Sequence, residues 1–559
     1  MSFTAQLENA FNAFANFMWS TPLVVLLVGG GIALTLYSRL RPYRYIGHSL
    51  ALLRGKYSHD DDPGHVSHAQ ALSTALSGTL GLGNVAGVAI AISVGGPGAV
   101  FWMWVVGFAG MALKTAEVTM AMLYRNTDDP DNPHGGTMWA AKKGLAELGP
   151  KWAKLGAVMA MLFTIPLILF GLTGGNMFQA WNASEIAREY FGIPTIVTGG
   201  VLAVVVGLVI LGGIQRIGKI AGTLVPLMCG LYVICGIAVL IANAEQIPDM
   251  FRLIFTSAFS EAEATGAFTG AAFGTAFIFG MKRALFSSEA GLGSAPIAHS
   301  AVKTPEPVTE GVVAGLEPFI DTIVVCTITA LVILSSGVWK RDAVADFYAQ
   351  PAFVQVNAGE YQPATDLLPQ RKDTETWRPG DQVFVVAKNP EGQRSRVYGT
   401  VQGENGIGQS VAWRAEAFAT PPTLAEHGIF ADYPAATLTA RAFDSAWDGL
   451  GRWMVTIAVF LFAISTMITW SYYAEQGVVY LLGQKWVMPY RISWCALIFV
   501  TCLGFIRTDA ELDTVSTVAL GFMLAINLPT MILLGSRIMG AWHDYFARLK
   551  EGEIARRGE

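Results

Sequence analysis

Charged side chains are scarce in this sequence. Asp, Glu, Lys and Arg make up 14% of the 559 residues, whereas a soluble domain carries about 25%. Hydrophobic residues make up 53% of the chain, and its mean hydropathy is +0.44. This balance excludes an ordinary soluble protein, and no nucleic-acid partner is expected. It predicts an all-α protein that crosses a lipid bilayer several times.

Cysteines, leader signals and catalytic motifs are few or missing as well. The five cysteines lie in apolar runs, which favours packing over disulfide bonds. The first stretch, MSFTAQLENAFNAF, has no basic region, so a cleaved signal peptide is not expected. The sequence shows no metal-ligand cluster, no nucleophile–base pairing and no Walker-type phosphate loop, so an enzyme is not predicted.

Long apolar runs are abundant. A membrane-spanning helix needs about 20 mostly apolar residues. Eleven candidate segments are centred near residues 30, 82, 108, 166, 203, 231, 283, 323, 460, 496 and 524. If the spans alternate, the basic residues after the first, third and fifth spans and at the C-terminus share one side, which is then cytoplasmic. The N-terminus is therefore expected outside the cell and the C-terminus in the cytoplasm.

One polar stretch, residues 339–449, interrupts this pattern on the outer side. Its segment RPGDQVFVVAKNPEGQRSRVYGTVQG is typical of β-strands around an NPEG turn. We expect a small β-rich insertion, the alternative being a long ordered loop with one hairpin. Residues 1–338 and 450–540 then form the transmembrane core, and residues 541–559 form a cytoplasmic tail.

The segment SGTLGLGNVAGVAIAISVGGPG, residues 77–98, carries seven glycines and a proline inside an apolar run. Each glycine inside a helix costs about 0.5–1 kcal/mol relative to alanine. Irregular backbone survives in a membrane only where it is buried or lines a cavity. One interpretation is a helix broken at mid-membrane, whose free carbonyls bind a cation and whose free N–H groups bind a carboxylate. The alternative is tight helix packing through small residues.

A second segment, FSSEAGLGSAPIAHSAV at residues 286–302, repeats this signal. GLGN at 81–84 matches GLGS at 291–294, and the two motifs fall in the second and seventh predicted spans. If spans 2–6 and 7–11 are two halves, each half opens with its own broken helix. Because five is odd, the halves enter the membrane from opposite sides. Paired broken helices in inverted repeats are the best sequence indicator of a secondary transporter's binding site.

Several longer motifs resemble those of the alanine/glycine:cation symporters, also called sodium:alanine symporters. They are GLGNVAGVAIAISVGGPGAVFWMW (81–104), GNMFQA (175–180), GMKRALFSSEAGLGSAPIAHSA (280–301), FIDTIVVCTITALVIL (319–334) and FAISTMITW with YYAE (462–475). The resemblance covers nearly all of the membrane portion, whereas the insertion is longer than expected for the family. It implies the leucine-transporter-like fold, in which two five-helix inverted repeats move around a central site.

The resemblance also implies a sodium site. Backbone carbonyls near Ser77 and Leu80 would face the ion, and the hydroxyls of Ser465 and Thr466 would complete its shell. Sodium is a hard cation that prefers oxygen ligands, so this donor set is chemically suitable. The alternative for the two hydroxyls is a hydrogen bond to the preceding turn of their own helix.

For the substrate, the resemblance implies ligands from both broken helices. Backbone N–H groups after the first break would bind the substrate carboxylate, and backbone carbonyls at the second break would bind the ammonium group. The residues concerned are Leu82 and Gly83 in the first group, and Phe286, Ser287 and Glu289 in the second.

Five further residues are candidates for the pocket: Thr79 and Asn84 at the first break, Gly291 at the second, and Gln179 and Trp470 elsewhere. Asn84 either contacts the substrate or a second ion, or caps the resumed half-helix. The resemblance implies that Gln179 contacts the substrate, the alternative being a solvated residue near the outer helix end. It implies that the Trp470 indole caps the cavity and excludes large side chains, the alternative being an interfacial tryptophan.

Charged residues inside membrane spans are costly, so each is a functional candidate. We interpret them as structural ion pairs and gates, with Glu289 pairing with Lys282 or Arg283 or stabilising an open conformation. The alternative for Glu289 is a proton relay. His299, near the inner end of the seventh span, is interpreted as a structural histidine. The charged residues concerned are Glu117, the pair Lys282–Arg283, Glu289 and Asp321.

These observations and the resemblance predict a sodium-coupled symporter that imports alanine or glycine by alternating access. The protein is expected in the cell inner membrane, with the insertion as a candidate surface for a partner. One alternative is a proton-coupled amino acid transporter. Another, from a different class, is a channel or receptor with an outer ligand-binding domain, although a channel needs a continuous polar pore that inverted broken helices do not provide.

Overall fold

The computed structural model describes residues 21–58, 62, 64–128, 133–259, 273–340, 342–372, 376–392, 394–404, 406–432, 435–505 and 509–554. Most of this part is helical, and short strands form a separate β-rich region. Six of the described helices are long and apolar enough to cross a bilayer. The bent pair His68–Thr79 and Gly83–Gly95 counts as a seventh if it is one span. The described chain therefore has the helices of a multi-pass membrane protein.

Sixteen described α-helices precede the β-rich region. They are α1 Thr21–Tyr37, α2 Arg41–Arg44, α3 Ile46–Leu53, α4 His68–Thr79, α5 Val88–Gly95, α6 Gly98–Leu123, α7 Thr137–Ala146, α8 Pro150–Leu172, α9 Phe178–Phe191, α10 Thr195–Ile210, α11 Gly213–Ala242, α12 Ile247–Ser257, α13 Phe273–Ser288, α14 Ala295–His299, α15 Pro307–Ala314 and α16 Cys326–Ser336. π-helical turns at Gly83–Gly87, Thr173–Met177 and Phe319–Val325 lead into α5, α9 and α16. Short 3₁₀ turns occupy Ala244–Gln246 and Val338–Lys340.

The chain returns to helices after the β-rich region. These are α17 Ala435–Asp444, α18 Leu450–Leu482, α19 Val487–Thr501, α20 Asp509–Leu533 and α21 Gly535–Glu551, with a 3₁₀ turn at Gln484–Trp486. A helix or broken helix occurs at each of the eleven positions where a span is predicted. The number of spans and the inverted repeats stay predictions.

The first broken helix consists of α4, the turn Gly83–Gly87 and α5. A capping box starts α4, because Ser67 and Gln70 each accept a hydrogen bond from the other's backbone N–H group. Leu80 follows with ψ 82°, which is not helical. The chain bends by 52° before it continues as a helix. The break therefore occurs inside the glycine-rich segment, as the sequence predicts.

The second broken helix consists of α13 and α14, separated by residues 289–294. Gly291 and Gly293 have φ of 82° and 79°, which glycine adopts at little cost. Glu289 has φ of 50°, a value that residues other than glycine rarely adopt. The GLGS motif thus marks a second real interruption of a buried helix.

The β-rich region contains two antiparallel sheets. The strands are β1 Ala345–Asp346, β2 Phe353–Asn357, β3 Glu360–Pro363, β4 Gln382–Lys388, β5 Arg394–Glu404, β6 Ile407–Trp413, β7 Glu416–Ala417, β8 Thr423–Leu424 and β9 Gly428–Ala431. The larger sheet has the order β1-β9-β4-β5-β6, with β8 also paired to β4, and the smaller has the order β2-β3-β7. The predicted hairpin around NPEG is confirmed as β4 and β5, which are part of the larger sheet.

The boundary of this region differs from the expected one at its C-terminal end. The strands have their own hydrophobic core, whereas Leu438 and Phe443 of α17 belong to the core of the membrane helices. Thr439 Oγ1 also donates a hydrogen bond to Val85 O in the first broken helix, at 2.9 Å. We therefore propose residues 342–432 as the inserted unit, and α17 as part of the transmembrane core.

The C-terminal helix α21 also packs on the core rather than forming a free tail. Trp542 and Phe546 are buried, and Trp542 Nε1 donates to Thr119 Oγ1 at 3.0 Å. Arg548 donates two hydrogen bonds to the Glu306 carboxylate, at 2.8 and 2.9 Å. Most of the predicted cytoplasmic tail is thus ordered, and residues 555–559 lie outside the described part.

Candidate functional site

A small buried cavity lies between the two breaks. It measures about 10 Å³ when only the space open to the centre of a water molecule is counted, which is room for about one water. Glu289 is the one ionisable side chain among the described residues that line it. The lining residues are Gly78, Thr79, Gly81, Gly83, Phe170, Gly174, Gln179, Phe286, Glu289, Thr466 and Trp470.

Many of the residues predicted from the sequence meet at this cavity. Seven of them line it, namely Thr79, Gly83, Gln179, Phe286, Glu289, Thr466 and Trp470. Four lining residues were not predicted. Gly78 and Gly81 lie in the first broken helix, and Phe170 and Gly174 lie on α8 and the turn after it. For Phe170 and Gly174 the available signal was the run LFGLTG, residues 169–174, directly before GNMFQA, but nothing in it distinguishes a pocket wall from helix packing.

The predicted sodium ligands of α4 and α18 lie in contact. Thr466 Oγ1 and Ser465 Oγ point to Ser77 O, at 3.2 and 3.4 Å. Ser77 Oγ donates in turn to Ser465 O at 2.8 Å. All three residues are buried. The oxygens that meet here are neutral hydroxyls and carbonyls, which suits a hard monovalent cation.

The alternative interpretation, a hydrogen bond to the preceding turn of the same helix, holds for one of these two hydroxyls. Ser465 Oγ also donates to Phe462 O in the preceding turn, at 2.9 Å, whereas the hydrogen bond of Thr466 crosses to the other helix. Leu80, the fourth predicted ligand, is buried at the end of α4, where its N–H group donates to Leu76 O. Thr466 is the residue that touches both this group of oxygens and the cavity.

Asn84 lies behind the cavity wall and joins the two breaks. Its Oδ1 accepts from Gly81 N at 3.1 Å, and its Nδ2 donates to Ser287 Oγ at 3.0 Å and to Asp321 O at 3.2 Å. The side chain therefore stabilises the loop before the π-helical turn instead of capping the resumed helix. Ser287, predicted as a substrate ligand, belongs to this same polar group, and its hydroxyl lies 3.4 Å from Asp321 Oδ2.

One of the three carbonyls predicted to bind the ammonium group has other partners in the structure. Glu289 O accepts hydrogen bonds from Lys114 Nζ at 3.3 Å and from Leu292 N at 3.2 Å, so it is already used. Gly291 O accepts from Asn527 Nδ2 at 2.8 Å, and Gly291 packs against Leu524 and Leu528. At this break Phe286 and Glu289 line the cavity, and the roles of the Phe286 and Ser287 carbonyls stay predictions.

Gln179 and Trp470 are both in the cavity wall. Gln179 is 2% exposed, which contradicts a solvated position. Its Nε2 donates to Gly174 O at 3.0 Å, and its buried Oε1 has no hydrogen-bond partner among the described residues. Trp470 is 1% exposed and packs edge-on against Phe170, with 4.5 Å between the ring centroids. It is therefore not an interfacial tryptophan.

The expectation that Glu289 pairs with Lys282 or Arg283 is wrong. Glu289 Oε1 accepts from Trp470 Nε1 at 3.0 Å, and its Oε2 accepts from Ser294 Oγ at 2.6 Å. The cation beside it is Lys114 of α6, which contacts its backbone carbonyl.

A row of buried charged residues continues from Lys114 away from the cavity. Lys114 Nζ lies 3.4 Å from Glu117 Oε1 and 3.3 Å from Glu317 Oε2. His299 lies between Glu317 and Glu310, at 2.5 Å from each, and His68 also bonds Glu310. We call these residues the buried charge chain: His68, Glu310, His299, Glu317, Lys114 and Glu117.

The sequence analysis anticipated only part of this chain. It took His299 for an isolated structural histidine, but the histidine bridges two carboxylates. Lys114 and Glu117 are three residues apart in a helix, a spacing that predicts an ion pair. Their contact with Glu317 joins α6 to the segment between α15 and α16, and local spacing cannot show it.

Comparison with known proteins gives a consistent result. A model of the sodium:alanine symporter family matches residues 4–363 and 423–557. The sodium/alanine symporter AgcS of Methanococcus maripaludis is 35% identical over 546 residues, covering 97% of this chain and 98% of that protein. A putative sodium/proton-dependent alanine carrier, YrbD of Bacillus subtilis, is 29% identical over 539 residues, which cover 96% of this chain and 92% of that protein. A probable sodium/glutamine symporter, GlnT of B. subtilis, is 33% identical over 64% of this chain and 71% of its own. This chain belongs to the sodium:alanine symporter family.

Proposed function

We propose that this protein is a sodium-coupled symporter for a small neutral amino acid, alanine or glycine. The observation that carries the proposal is the position of Thr466. Its hydroxyl bonds the carbonyl of Ser77 among the candidate sodium ligands, and the same residue lines the cavity. A ligand in the cavity and an ion beside Ser77 would therefore share a wall, through which the binding of one can affect the binding of the other.

The cavity supports an amino acid as the substrate. The N–H groups of Leu82 and Gly83 begin the helical turn after the first break, where a carboxylate is favoured. The unpartnered Oε1 of Gln179 and the carboxylate of Glu289 are acceptors for the ammonium group. Phe170, Phe286 and Trp470 also line the cavity, and their rings are suited to contact a short apolar side chain.

The size of the cavity favours a small substrate. At about 10 Å³ it is too small for an amino acid, so its walls have to move before any amino acid fits. Alanine and glycine require the least movement. One relative is named as a sodium/alanine symporter and another as a probable sodium/glutamine symporter, so we propose that the cavity walls of this chain set its own size limit.

We propose that transport proceeds by alternating access, with eleven spans, an outer N-terminus and two inverted repeats of five spans. Sodium bound between α4 and α18 would stabilise the outward-open conformation, and the substrate would then favour closure. The ion drives transport only if its affinity differs between the two conformations, because equal affinities shift no equilibrium.

The test is uptake of labelled alanine into proteoliposomes, with an inward sodium gradient and then with potassium replacing sodium at the same pH. We expect uptake with sodium and its collapse with potassium. Uptake that ignores sodium but follows a pH gradient would contradict sodium coupling. Absence of alanine and glycine uptake under both gradients would contradict the proposed substrate.

Gly175 gives a prediction about the cavity wall. A β-carbon at this position would lie 2.5 Å from both Cβ and Cγ of Trp470. We expect Gly175→Ala to abolish the rise in melting temperature that alanine gives the purified protein, because the indole has to leave its place. Gly230→Ala is the control, since a β-carbon there meets nothing within 4 Å. An unchanged alanine effect in Gly175→Ala would show that the Trp470 position does not matter for binding.

The inserted β-rich region gives a second prediction. Its strands have their own core, and the family model matches the chain on both sides of residues 364–422 but not these residues. We expect a variant in which a short Gly/Ser linker replaces the whole inserted unit, residues 342–432, to keep sodium-driven alanine uptake. If the variant folds but loses uptake, the insertion is part of the outer gate instead. As a control, a variant that also lacks α17 should fail to fold.

A further inference from the structure

Glu289 is an unusual residue in the cavity wall. It has φ of 50°, in the left-handed region that residues other than glycine avoid. It is 2% exposed and lies at the point where α13 ends. A buried carboxylate in a strained backbone conformation persists only where its surroundings hold it.

Three hydrogen bonds from side chains hold Glu289 in this conformation, besides the backbone bond from Leu292 N to its carbonyl. Lys114 Nζ donates to its backbone carbonyl at 3.3 Å. Ser294 Oγ donates to Oε2 at 2.6 Å, which bridges the break to the start of α14. The remaining carboxylate oxygen, Oε1, accepts the indole N–H of Trp470 at 3.0 Å. Each oxygen of the residue therefore has its own partner, and the carboxylate has a fixed direction.

Trp470 in turn has little freedom to move. Phe170 packs against it in the cavity wall, with 4.5 Å between the ring centroids and 63° between the ring planes. Gly175 lies so close to Trp470 Cβ and Cγ that it leaves no room for a side chain. Tyr473 packs edge-on against Trp470, with 5.2 Å between the ring centroids and 77° between the ring planes. The polar edge of the indole is held by Glu289.

We propose that Glu289 is a positioning residue that fixes the Trp470 indole across the cavity and thereby sets the upper size limit of the substrate side chain. The proposal rests on the proposed function and deepens it, because it names what determines the substrate class. Glu289 acts here through Trp470, as a hydrogen-bond acceptor, and its negative charge is not what sets the limit.

Three substitutions separate the acceptor from the charge and from the strain. Glu289→Gln keeps an oxygen that can accept from Trp470 and removes the charge. Glu289→Ala removes the acceptor and keeps a β-carbon in the left-handed backbone. Glu289→Gly removes the acceptor and also relieves the backbone, because glycine adopts positive φ freely.

The experiment measures binding to the purified full chain in sodium, as the rise in melting temperature given by glycine, alanine, valine, leucine and phenylalanine. In the wild type we expect glycine and alanine to act at lower concentrations than the larger members. We expect Glu289→Gln to keep this order, whatever its effect on alanine affinity. We expect Glu289→Ala and Glu289→Gly both to improve the affinity for valine or leucine relative to alanine by about tenfold, the factor that 1.4 kcal/mol represents.

Each other outcome contradicts a stated part of the argument. If Glu289→Ala and Glu289→Gly fold and keep the wild-type size order, Glu289 does not position Trp470. If Glu289→Gln loses the size order as fully as Glu289→Ala, the charge sets the limit and the proposal fails. If only Glu289→Ala changes the size order, strain in the backbone at residue 289 is the cause and the proposal fails. If the wild type binds none of the small amino acids, the proposed function itself is wrong and this inference falls with it.

Discussion

Replacing Thr466 with valine is expected to raise the sodium concentration that half-saturates alanine uptake by about tenfold or more, since a hydrogen bond or ligand contact to a charged group is worth about 1.5–3 kcal/mol. Valine has nearly the shape of threonine but no hydroxyl. The change removes the oxygen that bonds Ser77 O at 3.2 Å, on a residue that also lines the cavity. The measurement is the initial rate of alanine uptake into proteoliposomes as a function of sodium, at saturating alanine.

The control for this prediction lies on the same helix. Thr456 is buried in α18, and its hydroxyl donates to Arg452 O in the preceding turn at 2.6 Å. Thr456→Val removes a buried hydroxyl that serves only its own helix, so we expect the sodium dependence to stay unchanged. Thr466→Ser keeps the hydroxyl and should stay near the wild type. A normal sodium dependence in Thr466→Val would show that Thr466 is not an ion ligand.

The breaks in the two helices could be predicted from the sequence because the signal is local. Glycines inside a buried apolar run are costly, and the GLGN and GLGS motifs place them where the chain leaves the helix. The same holds for the hairpin around NPEG, where turn residues separate two segments rich in β-branched and aromatic residues. In both cases a few adjacent residues determine the backbone.

The contacts of the cavity wall could not be predicted in this way. Glu289 is 175 residues from Lys114 and 181 residues from Trp470, and its local sequence suggested Lys282 or Arg283 as partners instead. Those two residues lie on α13 itself, before the break. Only the packing of α6 and α18 against the break decides which cation and which donor reach Glu289. The meeting of Ser77 with Ser465 and Thr466 became predictable only through resemblance to a known family.

Replacing Lys114 with methionine is expected to lower the free energy of unfolding strongly. Lys114 is fully buried, and its ammonium group lies 3.4 Å from Glu117 Oε1 and 3.3 Å from Glu317 Oε2. Lys114→Met keeps most of the side chain's volume but leaves buried carboxylates without their cation. Removing one partner of a buried ion pair typically costs about 3–5 kcal/mol, so we expect the free energy of unfolding to fall by about that amount.

The measurement is reversible unfolding of the purified protein in mixed micelles with increasing sodium dodecyl sulfate. Lys151→Met is the matched control, because Lys151 is exposed at the start of α8 and its loss should change the free energy of unfolding little. A fall of less than about 1 kcal/mol in Lys114→Met would place it in the range of an exposed pair. It would then contradict a structural role for the buried charge chain.

The double variant decides whether the loss comes from the stranded charge or from the lost contacts. Glu317→Gln alone should destabilise, because it weakens contacts to both Lys114 and His299. Combined with Lys114→Met it removes one of the charges that the first substitution leaves uncompensated. We therefore expect the double variant to lose less free energy of unfolding than the sum of the two single variants, by about 0.5–3 kcal/mol. Simple additivity would mean that Lys114 and Glu317 do not compensate each other's charge, and that Lys114 acts instead through its bond to Glu289 O at the cavity wall.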